Sequence, residues 1–147
     1  MRDFQAVPLT KGFVAVVDES DIAEVTRYKW YARICSGRPY AYNNKIGYLH
    51  RFILKDVVMV DHKNGDTLDN RRGNLRAATR SQNGANSGKH AGKWSSEYKG
   101  VTWDKRKHKW IAKIGQRTIG RFESEEDAAE AYNKAAIQKY GEYARTN

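Results

Sequence analysis

The chain has 147 residues, 39% of them hydrophobic, with 27 Lys and Arg against 17 Asp and Glu for a formal net charge of +10. That is room for one ordinary domain or two small ones of roughly 60–90 residues each, and the basic excess favours an anionic partner, most often nucleic acid. The single cysteine, Cys35, excludes an intrachain disulfide and a multi-cysteine zinc site, and the longest apolar runs, Phe13–Val17 and Val57–Val60, fall far short of the ~20 residues of a membrane span.

Taken in chain order, Ala6–Leu9 and Phe13–Val17 read as short strands either side of a Thr10-Lys11-Gly12 turn. Ser20 is placed to cap a short helix through Val25. Trp30–Ile34 and Tyr40–Asn43 alternate like a hairpin across Ser36-Gly37-Arg38-Pro39. Ile46–Leu54 is apolar with His50-Arg51 inside it, and strand and short helix both fit. Val57–Val60 reads as a β-branched strand feeding into Asp61-His62. A polar loop from Lys63 to Gly73, a short strand at Leu75–Ala78 and a helix opening at Thr79 or Ser81 follow. Gly84–Ser96 has the Gly, Ser, Asn and Lys content of a linker, or of a helix tail running into one, the helix before it carrying Gln82, Asn83 and Asn86. Beyond it, Lys99–Trp103, Trp110–Ile114 and Thr118–Phe122 read as three strands. Ser124-Glu125-Glu126-Asp127 resembles a capping box that opens a helix running to about Tyr140 and stopping at Gly141. The expected fold is therefore α+β: a β-rich region with short helices over residues 1–90, then a three-stranded antiparallel sheet packed on one helix over 97–147.

Charge is segregated along the second half. From Lys89 to Arg121 the only acids are Glu97 and Asp104, whereas Glu123, Glu125, Glu126, Asp127 and Glu130 form an acidic block at the helix start. One face is thus expected to meet an anionic ligand and the other not.

The chemistry concentrates between Val60 and Asn83. Hydrolysis of a phosphodiester needs a base to deprotonate water, a cation to neutralise the phosphate and stabilisation of the leaving oxygen. His62 suits the base because an imidazole titrates near neutrality. Asp61 and Asn83 offer the oxygens that a hard cation takes. Adjacent strand residues point to opposite faces, so Asp61 and His62 can cooperate only where the strand ends and the backbone turns. Asn74 is placed to pin the loop and orient the imidazole. An EF-hand is excluded, because a loop from Asp61 would need glycine at Asp66 and glutamate at Arg72. His50 fits a second catalytic histidine, a packed one or a phosphate contact.

Asp61-His62, Asn74 and Asn83, with Leu49-His50-Arg51 and the run from Leu68 to Arg76, resemble the HNH, or ββα-metal, endonucleases in the form found in phage homing enzymes. The resemblance implies that His62 is the general base, that Asp61 and Asn83 bind the metal and that Asn74 orients His62. Asn83 stands where many relatives have His, and an amide oxygen there favours Mg2+ or Mn2+ over zinc or nickel. Tyr98-Lys99-Gly100-Val101, Lys109–Ile114, Ile119-Gly120-Arg121-Phe122 and Ala128–Ala136 are similar to the plant ethylene-response (APETALA-type) DNA-binding domain. That family reads the major groove of double-stranded DNA with its sheet. The candidate DNA contacts are Lys99, Trp103, Lys105, Arg106, Lys109, Trp110, Lys113, Arg117 and Arg121. For the two tryptophans, core and interface fit equally. Thr102 and Thr118 depart from the plant pattern, so the plant target sequence does not carry over.

These readings lead to a metal-dependent DNA endonuclease, expected to be monomeric, without a membrane partner and cytoplasmic in a bacterial or phage-infected cell. A non-catalytic DNA-binding regulator and an RNA-binding protein are the alternatives.

Overall fold

The computed structural model describes residues 3–147; Met1 and Arg2, at the head of the expected first domain, lie outside the described residues. The described chain is α+β, with small antiparallel sheets and four α-helices, and it divides between Arg80 and Ser81 into two compact units.

In the first unit, β1 (Phe4–Pro8) pairs antiparallel with β2 (Val14–Asp18). Alternation sends Val7, Ala15 and Val17 into the core. The helix α1 (Glu19–Val25) starts ahead of the Ser20 cap expected from the sequence, because Asp18 leaves β2 extended and serves as the N-cap residue. A three-stranded sheet follows, made of β3 (Tyr31–Cys35), β4 (Arg38–Asn43) and β5 (Gly47–Tyr48). Ser36 and Gly37 both have positive φ, as a two-residue hairpin turn requires. The apolar stretch Ile46–Leu54 is both things its pattern allowed: β5, then the helix α2 (Leu49–Ile53), which buries Leu49, His50 and Ile53.

The strand expected at Val57–Val60 starts only at its last residue. β6 (Val60–His62) pairs with β7 (Leu75–Ala77), matching Val60 with Ala77, Asp61 with Arg76 and His62 with Leu75. Val58 is 88% exposed, since the ladder with β7 begins only beyond it. Val60 and Leu75 join Val7, Ala15, Val17, Val25, Trp30, Ala41, Leu49 and Ile53 in one core. The loop between β6 and β7 is anchored on β2: Val16 N–H donates to Leu68 O and Asn70 N–H to Val16 O, each at 2.8 Å.

In the second unit, β8 (Val101–Asp104), β9 (Lys109–Ile114) and β10 (Arg117–Phe122) form an antiparallel sheet in the order β10-β9-β8. The helix α4 (Glu125–Tyr140) packs on it, burying Val101, Ala112, Ala128 and Ala129 in one cluster and Ile114, Tyr132 and Ala136 in another. The alanines permit this close approach of helix to sheet. Ser124 caps α4 by accepting from Asp127 N–H at 3.1 Å, but its hydroxyl donates to Glu126 rather than completing a reciprocal box. Gly100, at φ +76°, has no room for a side chain: a Cβ there would stand 2.1 Å from the Tyr132 ring.

The boundary between the two compact units falls inside α3 (Arg80–Asn86). The reason is Lys99, whose ammonium donates to the carbonyls of Gly84, Ala85 and Ser87 at 3.3, 2.6 and 2.5 Å. Arg145 N–H also donates to Ala85 O. The otherwise unsatisfied carbonyls at the end of α3 are thus held by the second unit's own residues. No helix among the described residues is long and apolar enough to cross a membrane.

Candidate active site

β6 ends at His62, where Gly65 N–H donates to His62 O at 2.9 Å and the chain turns away. This gives the strand end that Asp61 and His62 need. Both side chains are buried. Asp61 follows its ladder partner: Arg76 Nε donates to Asp61 Oδ2 at 2.8 Å, and the two side chains are only 11% and 4% exposed, Arg76 first. The ring of His62 lies against His50, with centroids 5.2 Å apart, and against Tyr40.

The imidazole sits beside an amide, but Asn70 supplies it. His62 Nε2 is 3.5 Å from Asn70 Oδ1, at the outer limit of a hydrogen bond. Asn70 is only 1% exposed, and its Nδ2 donates to Leu68 O. Asn74 takes the loop-pinning half of its expected role: its Oδ1 accepts from Asn64 N–H at 3.0 Å and its Nδ2 donates to Asp69 O at 2.8 Å. Asp69 in turn holds Arg71 through two hydrogen bonds of 2.7 Å. Asp21 grips Arg72, whose backbone N–H donates to Asp18. A loop rich in Asp, Asn and Arg is fixed here by its own polar side chains.

Burial pushes the His62 imidazole below its ordinary pKa, opposed by Asn70 and by the carboxylates of Asp61, Asp66 and Asp69. Burial, followed by the neighbouring His62 and Arg51, lowers His50 further, to about 3. Both rings are neutral at pH 7, and a neutral imidazole is the form that accepts a proton.

A family model described as HNH endonuclease matches residues 48–85, a span that contains His50, Asp61, His62, Asn70, Asn74 and Asn83. Over 148 aligned residues the chain is 34% identical to an uncharacterised HNH endonuclease, L560, of Acanthamoeba polyphaga mimivirus, covering 93% of this chain and 76% of that protein. The chain belongs to the HNH endonuclease family. No solved structure matches it.

HNH nucleases typically use a divalent metal. In this HNH chain no three His, Cys, Asp or Glu side chains cluster into a metal cage among the described residues. Asp61 offers one buried carboxylate, a donor of the kind a hard divalent cation takes. Asn83 lies on α3, within the second unit.

The expected DNA contacts divide by face. Trp103 pairs with Trp110 across the ladder, with ring centroids 4.9 Å apart, on the side that buries Val101 and Ala112 against α4. Of the two places open to them, the pleat gives the helix side, since the face that buries Ala112 carries Trp110 with it, and neither tryptophan joins the outward DNA contacts expected of the sheet. Lys99 is also removed from that face, being half-buried over the end of α3 with its pKa lowered by burial. Arg117 is exposed but lies opposite Ile114, on the helix side. Lys109, Lys113 and Arg121 share the outer side with Thr102, Ile111 and Thr118, while Lys105 and Arg106 are exposed in the β8–β9 turn. Lys109 reaches Glu123 at 2.8 Å, and Arg121 is 3.9 Å from Asp104.

The residue pattern alone assigns no role to Asn70, Arg76, Tyr40 or Tyr48. Arg76 becomes visible once Asp61 and Arg76 are set opposite one another in a hairpin. Asn70 carries no separate signal, since an Asn between Asp69 and Arg71 reads as an ordinary turn residue.

Proposed function

We propose that this chain is a divalent-metal-dependent endonuclease of the homing type that hydrolyses phosphodiester bonds of double-stranded DNA at a site recognised by its C-terminal module. The observation that carries the reading is the buried, neutral imidazole of His62 at the end of β6, directly after the buried carboxylate of Asp61. His62 removes a proton from the attacking water. Asn70 beside the ring and Asn74 across the loop keep the imidazole in place. Asp61, with Asn83 as second oxygen donor on the strength of the family motif, would hold Mg2+ or Mn2+. When bound, that cation neutralises charge on the phosphate and the leaving oxygen.

Recognition falls to the outer side of the β8–β10 sheet. Lys109, Lys113 and Arg121, with Lys105 and Arg106 in the turn, supply the cations for phosphates and base edges. The likeness to the ethylene-response domain supports a sheet that reads the major groove. One active site addresses one strand at a time, so the monomer leaves a nick.

The test is incubation of the full chain with supercoiled plasmids bearing a randomised insert, followed by sequencing of the new ends. Nicks at a recurrent sequence, requiring Mg2+ or Mn2+ and abolished by chelator, are expected. Full cleavage in chelator refutes the metal mechanism, and cleavage without any recurrent sequence refutes site recognition.

A further inference from the structure

His50 is a buried histidine to which the proposed reaction assigns no step. It enters the site from α2, whose flanking Leu49 and Ile53 are anchored in the core and whose Arg51 donates to Val58 O at 2.8 Å. Its ring is held on two sides. Tyr48 stacks flat on it, with centroids 5.3 Å apart and planes 12° from parallel. His62 meets it edge-on, with centroids 5.2 Å apart and planes at 86°. Tyr48 is itself braced by the edge-on rings of Tyr42 at 5.1 Å and Tyr40 at 5.7 Å. Tyr40 then closes the circuit, touching His50 at 6.0 Å and His62 at 6.3 Å.

We propose that His50 is a positioning residue: clamped by Tyr48, its ring fixes the plane of the His62 imidazole. An imidazole on a strand end has rotatable side-chain bonds, and its contact with the Asn70 amide, at 3.5 Å, lies at the outer limit of a hydrogen bond. Aromatic edge-to-face contacts prefer centroid separations of about 4.5–7 Å and a perpendicular approach. The His50–His62 pair meets both conditions, so rotation of His62 out of plane breaks the contact. A base displaced by even 1 Å loses on the order of a hundredfold in rate without loss of substrate binding. Shape is what positioning requires of His50, and a phenyl ring reproduces it.

This inference rests on His62 being the base, and its test has one arm that does not depend on cleavage. His50→Ala, His50→Phe and Tyr48→Leu are compared with the unsubstituted chain in two measurements. The first is the NMR signature of the His62 ring in the full chain. His50→Ala and Tyr48→Leu should shift and broaden its resonances, while His50→Phe keeps them sharp. The second is steady-state nicking of plasmid DNA in Mg2+. His50→Ala should lower kcat by about 10-fold to 100-fold with KM within about twofold, and His50→Phe should recover most of that loss. If His50→Phe is as impaired as His50→Ala while its His62 ring stays sharp, His50 acts through its nitrogens and the proposal is overturned. A sharp, unshifted His62 ring in His50→Ala or Tyr48→Leu overturns it as well. Ordered ring behaviour as expected, in a chain that cuts no DNA, leaves the brace standing and refutes the nuclease reading instead.

Discussion

Acid should loosen the first unit as pH falls below about 6.5, and His50 sets the size of the effect. Folded, His50 takes a proton only near pH 3, whereas unfolded it takes one near 6.5. Between these values the unfolded chain binds more protons than the native one, so stability falls as pH drops and is regained as pH rises through 6.5. Each unit of the gap corresponds to about 1.4 kcal/mol. At pH 5 the chain is about one and a half units below the unfolded pKa, which makes the loss through His50 about 2 kcal/mol. His62 is shifted in the same direction and adds to the loss. Since a small domain has only about 5–15 kcal/mol in total, this is a large fraction. The assay is hydrogen exchange at the amides of Val60–His62 at pH 7 and pH 5, corrected for intrinsic exchange rates, in the unsubstituted chain and in His50→Phe. The substituted chain should lose about 2 kcal/mol less between the two conditions. Equal losses in the two chains would refute a neutral, buried His50.

Three further outcomes follow from particular residues. Gly100→Ala should destabilise the second unit by more than the roughly 1–2 kcal/mol that a left-handed backbone costs an L-residue, because the new methyl meets the Tyr132 ring and Lys113 O; thermal unfolding followed by near-ultraviolet circular dichroism measures it, and an unchanged midpoint contradicts the packing. Lys99→Met should lower that unit's stability while leaving the salt dependence of DNA binding intact, whereas Lys113→Ala or Arg121→Ala should reduce the log–log salt slope by about 0.9 for each phosphate no longer neutralised. Asp61→Ala should abolish cleavage and leave DNA affinity nearly unchanged in a fluorescence titration; parallel loss of binding would place the main DNA-binding residues in the first unit.

Much of the fold was legible because turn and cap chemistry is local. Ser36-Gly37, Ser124 and Gly141 mark ends that depend on a few neighbouring residues, and the elements beside them stand close to expectation. Where the outcome depended on distant partners, the pattern misled or left the answer open. Val57–Val60 has strand propensity, but only Val60 has a partner in the β6–β7 ladder. Ile46–Leu54 changes from strand to helix at Tyr48, a switch set by the core that receives Leu49 and Ile53. Alternation along Lys109–Lys113 left the direction of the pleat open, and burial of Ala112 under α4 decided it against an outward Trp110. In the site, Asp61 and His62 announced themselves by residue type and order. Asn70, Arg76 and the tyrosines did not, because their roles exist only through strand register and a loop tied to β2.

The most direct test of His62 as the base is the single-turnover cleavage rate of one duplex containing the identified site, in saturating Mg2+, for the unsubstituted chain and for His62→Ala at protein concentrations that saturate binding. The rate should be lower by about 10²–10⁴-fold in His62→Ala, the range for removal of a positioned base, with the same DNA bound. Cleavage by His62→Ala at the unsubstituted rate would contradict that assignment.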